Sequence, residues 1–340
     1  MAPIIPRMHL FEIDDQPWFP PFLRRIVQET LCRAWLTPPP ITSPACAADI
    51  AAGVLIKNIG PSEATLYTFV DFCAGGGGPT PRIERTLNAH AAKSGLPRAD
   101  FVLTDLYPHV DAWERASRRS EGGCLRYVRE PIDASAVDKG VMDMLLSRSA
   151  TKHEAENGSS STGIADGTAE RRRRRGGGGA GSIRLADQDR GSKGVFRIFN
   201  LAFHHMNDQL AKDILKNCVQ TDTPFAIFEL QDRSWRSVIA CLLLGLGMFP
   251  GAPYYAWKWR SPATLIFTWL IPILPFVIVF DGLVSSLRTR TPEEVEALLK
   301  GCGAEGGTEG WKVRSGRERF LWPVGWMNWV VCMKEENERR

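Results

Sequence analysis

The stretch Phe69-Val70-Asp71-Phe72-Cys73-Ala74-Gly75-Gly76-Gly77-Gly78-Pro79-Thr80-Pro81 decides how the rest of the chain is read. An apolar run closes on an acid, four glycines follow, and apolar residues at helical spacing resume after Pro81. That pattern predicts a strand, a tight turn and a helix start. Glycine permits positive φ and lets a ligand approach the backbone, while the helix N-terminus beyond offers N–H groups with no partner inside the helix. A nucleotide-like ligand fits such a turn; a flexible glycine-rich loop is the alternative.

Toward the C-terminus, predicted strands recur with polar residues at their ends. Residues 101–105 end on Asp105, 125–128 lead into Asp133 and Ala134, 195–203 run to His204 and His205, and 225–231 contain Glu229. Helical spacing at 81–94, 111–117, 137–145 and 210–218 fills the intervals, and such alternation implies a parallel sheet. Thr291-Pro292-Glu293-Glu294 is a capping box with proline at the first helical position. Residues 311–318 and 329–334 read as an antiparallel pair that closes the chain. Toward the N-terminus, helices are expected at 22–35 and 45–57, either packed in the core or forming a flap with Trp18 and Phe19 as apolar walls.

The chain has 340 residues and a formal net charge of +4, which the arginine run at 171–175 more than supplies. The remainder is near neutral, which argues against a nucleic-acid surface. Eight cysteines show neither a Cys-x-x-Cys pair nor a nearby histidine at zinc-ligand spacing, so packed, reduced thiols and no metal are expected. Glu12, Asp14 and Asp15 interrupt any secretory core near the start, which suggests a cytosol-facing protein. Residues 149–193 hold almost no large apolar side chains and are expected to be a disordered insertion.

Two further runs, 237–257 and 261–280, carry no charge at all. Each approaches the roughly 20 residues that cross a bilayer core. Pro250 and Pro253 are expected to break the first run, and Pro272 and Pro275 the second. A hairpin lying at or dipping into a membrane face is the expectation, with a soluble lid over a greasy substrate as the alternative. The protein is accordingly expected to be membrane-associated, with its catalytic domain facing the cytosol.

A dinucleotide fingerprint would need glycine where Thr80 stands. By contrast, Asp71-x-Cys73-Ala74-Gly75-Gly76-Gly77 resembles the acid-x-Gly-x-Gly-x-Gly motif of class I S-adenosylmethionine-dependent methyltransferases, with Cys73 replacing the first glycine. The resemblance spans residues 62–334 outside the two insertions. It implies an α/β, Rossmann-like fold with a seven-stranded, mostly parallel sheet, an antiparallel closing strand, an N-terminal helical cap over 1–61 and a hydrophobic helical insertion at 237–280. It also implies S-adenosylmethionine as cofactor, held by Asp71, Cys73, Ala74, Gly75 and Gly77 at the turn and by Asp105 and Leu106 at the ribose. Asp133 and Ala134 would meet the adenine, and Asn200 would lie beside the reacting methyl. His204 and His205 are the candidate catalytic bases, with His109 a weaker one, or else these histidines shape the cofactor wall or cap the following helix. The apolar insertion points to a lipophilic small-molecule acceptor. Residues 11–22 together with the hydrophobic pair resemble uncharacterised fungal methyltransferase-like proteins. A non-catalytic, membrane-anchored module with the same fold is the competing reading, and the oligomeric state is left open.

Overall fold

The computed structural model describes residues 5–38, 45–147 and 194–335. The predicted insertion at 149–193, with its arginine run, lies outside the described residues. Seven strands form one sheet in the order β3-β2-β1-β4-β5-β7-β6. They are β1 (Tyr67–Phe72), β2 (Asp100–Thr104), β3 (Leu125–Tyr127), β4 (Gly194–Asn200), β5 (Phe225–Glu229), β6 (Trp311–Leu321) and β7 (Gly325–Lys334). The first five pair in parallel, and β7 runs antiparallel to both β5 and β6.

Alternate residues of each strand face opposite helical layers, as the two-residue repeat of a strand requires. On one face, Phe69, Phe101, Phe196 and Phe228 pack with helices α2 (Ala47–Ile59) and α4 (Thr80–Lys93). Ala48, Ala51, Ala52 and Leu55 of α2 are fully buried, and these mostly small side chains let the helix lie close to its neighbours. On the other face, Val70, Phe72, Phe199 and Ile227 join α6 (Lys139–Leu146), α7 (Asp208–Gln220) and α11 (Pro292–Lys300). The capping box at the start of α11 is formed: Glu294 N–H donates to Thr291 Oγ1 at 3.3 Å, and Thr291 N–H to Glu294 Oε2 at 2.9 Å. Short helices α3 (Pro61–Ala64) and α5 (Val110–Ser117) complete the parallel half.

The strand expected to run to residue 203 ends at Asn200. Leu201 has φ 54, and this left-handed step turns the chain into a 3-10 turn at Phe203–His205. The histidines are thereby carried back across the strand end.

The apolar insertion is a helical hairpin. Helix α8 (Trp235–Trp259) continues through Pro250 and Pro253, contrary to the expected break. Proline 253 leaves the Phe249 carbonyl without its helical donor. The Trp269 indole N–H donates to that carbonyl at 3.1 Å, which offsets the loss. The second run does break: α9 (Pro262–Leu265) and a π-helical turn at Ile266–Leu270 meet α10 (Ile273–Arg288) at a 75° bend. Helices α8 and α10 approach closely at Gly245 and Gly282, where an added Cβ would lie 2.3 Å from Val279 Cγ2 and 3.0 Å from Cys241 Sγ. Ile278, Val277 and Leu274 of α10 pack on Leu23, Ile26 and Val27 of α1 (Pro21–Leu36), with Phe19 in the same cluster and Trp18 on the surface. Among the described residues, α8 is the one helix long and apolar enough to cross a membrane, and the bent α9–α10 unit passes the same test only if taken as one span.

Candidate active site

The order of the sheet reverses between β1 and β4, and the loops leaving those two strands open a crevice at their carboxyl ends. The glycine turn follows β1. Gly75, Gly77 and Gly78 have φ of 49, 101 and 45°, and Cys73, at the first glycine position of the motif the turn resembles, also lies at 68°. A left-handed non-glycine residue costs roughly 1–2 kcal/mol. A side chain added at Gly75, Gly76 or Gly78 would meet no atom within 4 Å, so the turn presents bare backbone to open space.

Several bonds hold the turn in shape. The Trp113 indole N–H donates to the Gly75 carbonyl at 2.7 Å, Ala74 N–H donates to Thr104 O at 3.0 Å, and Gly75 N–H donates to Asp105 Oδ2 at 2.8 Å. Tyr107 N–H donates to the other Asp105 oxygen at 2.8 Å. A carboxylate has about four acceptor positions, so Asp105 is aimed at the turn with capacity left for a ligand. Beneath the turn, Asp71 accepts from the Thr80 hydroxyl and, at 3.2 Å, from Asn200 Nδ2. Asp71 is fully buried, and desolvation pushes its carboxyl up to about 7, against the lowering effect of the two bonds. Cys73 is exposed on the cleft, and desolvation by the surrounding walls, followed by the Asp105, Asp71 and Asp133 charges, pushes it up to about 12, so it remains a thiol.

The opposite wall comes from distant parts of the chain. Glu229 at the end of β5 receives His204 N–H at 3.1 Å on one oxygen, and His204 Nδ1 lies 2.8 Å from the other. His205 Nδ1 lies 3.1 Å from Asp15 Oδ2. Asp281 of α10 accepts the backbone N–H groups of Ile13 and Asp14 at 2.6 and 3.1 Å, which fastens the N-terminal strap to the hairpin. Ser285 donates to Glu12 Oε1 at 2.9 Å, and Arg288 Nη1 stands 3.0 Å from the same oxygen. Burial alone would lower His205, but the bond to Asp15 and the charge of Glu12 raise it to about 9. Burial, reinforced by Asp281, pushes Asp14 up to about 7.

One cleft of about 1330 Å³ joins these parts. Cys73, Ala74, Gly75, Asn200, His204 and His205 all line it, and so do Glu12, Asp15 and the inner faces of α8 and α10. Gly77 instead packs its Cα side toward Trp113, and Asp71 supports the turn from below. Asp105 meets the cleft through Gly75. Leu106 is exposed, Asp133 is exposed with its carboxylate on Ser135, and Ala134 is buried with its carbonyl taking Arg197 Nη1 at 3.1 Å. The sequence reading did not anticipate Glu12, Asp15, Asp281, Ser285 or Arg288 at the site, nor Trp113 as the clamp on the turn. The acidic run at residues 12–15 was the visible signal for the first two.

No protein-family model matches the chain, and no curated protein does. Similar solved structures include the pyocyanin biosynthetic protein PhzM, at 14% identity and TM-score 0.41, covering 85% of this chain and 56% of that one. The mitomycin 7-O-methyltransferase MmcR gives 15% and 0.38, covering 85% and 54%. A chain assigned as a Zn-dependent alcohol dehydrogenase from Rhodobacter sphaeroides gives 9% and 0.41, covering 92% and 99%. The alignments span little more than half the length of the first two proteins. At these TM-scores the likenesses carry no functional weight, and strand order and direction define the fold. With five parallel strands, an antiparallel β7 inserted between β5 and β6, and a glycine turn at the switch point, the chain has the class I S-adenosylmethionine-dependent methyltransferase fold.

Proposed function

We propose that the protein binds S-adenosylmethionine at the glycine turn and transfers its methyl group to a lipophilic acceptor that enters beneath the α8–α10 hairpin. The observation that carries this reading is the single cleft in which the bare turn, two histidines and the apolar inner face of the hairpin meet. The residues present fit the cofactor: the turn is open where a side chain would obstruct it, and Asp105 has acceptor capacity beside it. When bound, S-adenosylmethionine supplies an electrophilic methyl group. The chain's own work is then to hold the donor on the turn, align the acceptor and exclude water. Leu244, Met248 and Ile278 provide the apolar wall, and His204 and His205 face the acceptor's reacting group.

The outer surface of the hairpin supports delivery from a membrane. Trp257, Trp269 and Leu270 are 78%, 60% and 77% exposed, and Lys258 and Arg260 follow Trp257 in the chain. Aromatic rings with flanking cations suit the interface between lipid headgroups and acyl chains. Incubation of the full chain with methyl-labelled S-adenosylmethionine and a total membrane lipid extract tests the reading. Label appearing in organic-soluble product supports it, and cofactor binding with no turnover on any lipid fraction favours a non-catalytic module.

A further inference from the structure

Glu12, His204 and His205 bring a carboxylate and two imidazoles together in the cleft wall. One ligating atom from each lies within 4.8 Å of the other two. His204 Nε2 is 3.8 Å from Glu12 Oε1, and His205 Nε2 is 3.7 Å from Glu12 Oε2. Around a metal with bonds of about 2.0–2.2 Å, ligand atoms stand ~3.3 Å apart, so the two Glu12 separations are each long by roughly half an ångström and modest side-chain rotation would bring the set to bonding distance.

Each imidazole is already held through its other nitrogen by a carboxylate, His204 by Glu229 at 2.8 Å and His205 by Asp15 at 3.1 Å. That is how a metal-ligating histidine is oriented and how its free nitrogen becomes the better donor. His204 is 2% exposed, and its Nε2 makes no hydrogen bond among the described residues. Ser285 and Arg288 both address Glu12 Oε1, which fixes the carboxylate and leaves Oε2 turned toward His205. The carboxylates of Glu12, Asp15 and Glu229 outnumber the Arg288 guanidinium beside them, so a further cation is electrostatically favoured.

We propose that Glu12, His204 and His205 bind a divalent transition-metal ion in the wall of the cleft, with its remaining positions open to the interior. Two imidazoles and a carboxylate suit zinc, manganese or iron(II). An acceptor hydroxyl placed on such an ion would lose its proton more readily, and His204 would then act as a ligand and not as a free base. That last step rests on the methyl-transfer reading; metal binding does not.

The test uses tag-free, full-length protein stripped with a chelator and then titrated with Co²⁺, followed by visible absorption, and with Zn²⁺, followed by calorimetry. One equivalent per chain is expected, with the bands of nitrogen- and oxygen-ligated Co²⁺. Glu12→Gln and His205→Gln should each weaken binding at least about tenfold, and Glu229→Gln roughly 10- to 100-fold. His205 is half-exposed, so its variant should keep the far-UV circular dichroism and melting temperature of the stripped wild type even if a change at buried His204 unfolds the chain. Absence of saturable binding, or full affinity retained in both Glu12→Gln and His205→Gln, overturns the site. S-adenosylmethionine titrated in parallel reads the glycine turn alone, so failure of either site is seen separately.

Discussion

Replacing Asp71 with Asn probes the support beneath the glycine turn. Asp71 is 1% exposed, accepts from Thr80 and Asn200, and is held at about 7 against an ordinary value of 3.8, chiefly by desolvation. A carboxyl raised on folding keeps its proton in the native state after the unfolded chain has released its own. Stability from this group is therefore greatest below the unfolded value and falls as pH rises toward about 7, above which the loss is complete. At 1.36 kcal/mol per pK, the full displacement sets an upper limit near 4 kcal/mol, and a loss of about 2–4 kcal/mol between pH 4 and pH 8 is expected. Asp71→Asn keeps the shape and the acceptor oxygen but cannot ionise. Urea unfolding followed by circular dichroism across that pH range should show a shallower decline in the variant, by most of this amount. Asp14, also raised to about 7, contributes a similar slope in both proteins, so the difference between them is the readout. Equal slopes, or a variant less stable than wild type at pH 8, would refute the reasoning.

Asp105→Ala removes the carboxylate that holds Gly75 N–H and, on the proposed function, the acceptor for the ribose, so S-adenosylmethionine affinity should fall by about 1.5–3 kcal/mol, or roughly 10- to 100-fold, in calorimetry. Gly245→Val forces a side chain into the α8–α10 contact, where even a Cβ would lie 2.3 Å from Val279 Cγ2; overpacking of about 1–3 kcal/mol should appear as a lower melting temperature. Changing Trp257 and Leu270 together to Ser should sharply reduce flotation with anionic vesicles, each side chain contributing about 1–2 kcal/mol of burial, while leaving the melting temperature within a few degrees. A wild-type chain that never floats with vesicles would sink the membrane reading.

The glycine turn and the polar strand ends were legible because local chemistry dictates them: a run of glycines admits few backbone paths, and an acid after an apolar strand has few reasons to be there. Asp71, Cys73, Gly75, Asn200 and both histidines could thus be named from the sequence, and all but Asp71 line or border the cleft. The wall that faces them could not. Asp15 reaches His205 across 190 residues, and Asp281 reaches Ile13 across 268. Periodicity reports which face of an element is apolar, but not which distant element covers it. The continuity of α8 was hidden for a related reason, since the donor that satisfies Phe249 is an indole from the next helix. Proline rules describe the isolated helix, and tertiary contacts supplied the missing bond.

Calorimetric titration of the folded, full-length protein with S-adenosylmethionine tests the central claim most directly. The account predicts saturable binding of one cofactor per chain, weakened at least tenfold by Asp105→Ala. A folded sample that takes up no cofactor at concentrations approaching about 1 mM, some 4 kcal/mol of affinity, would contradict it.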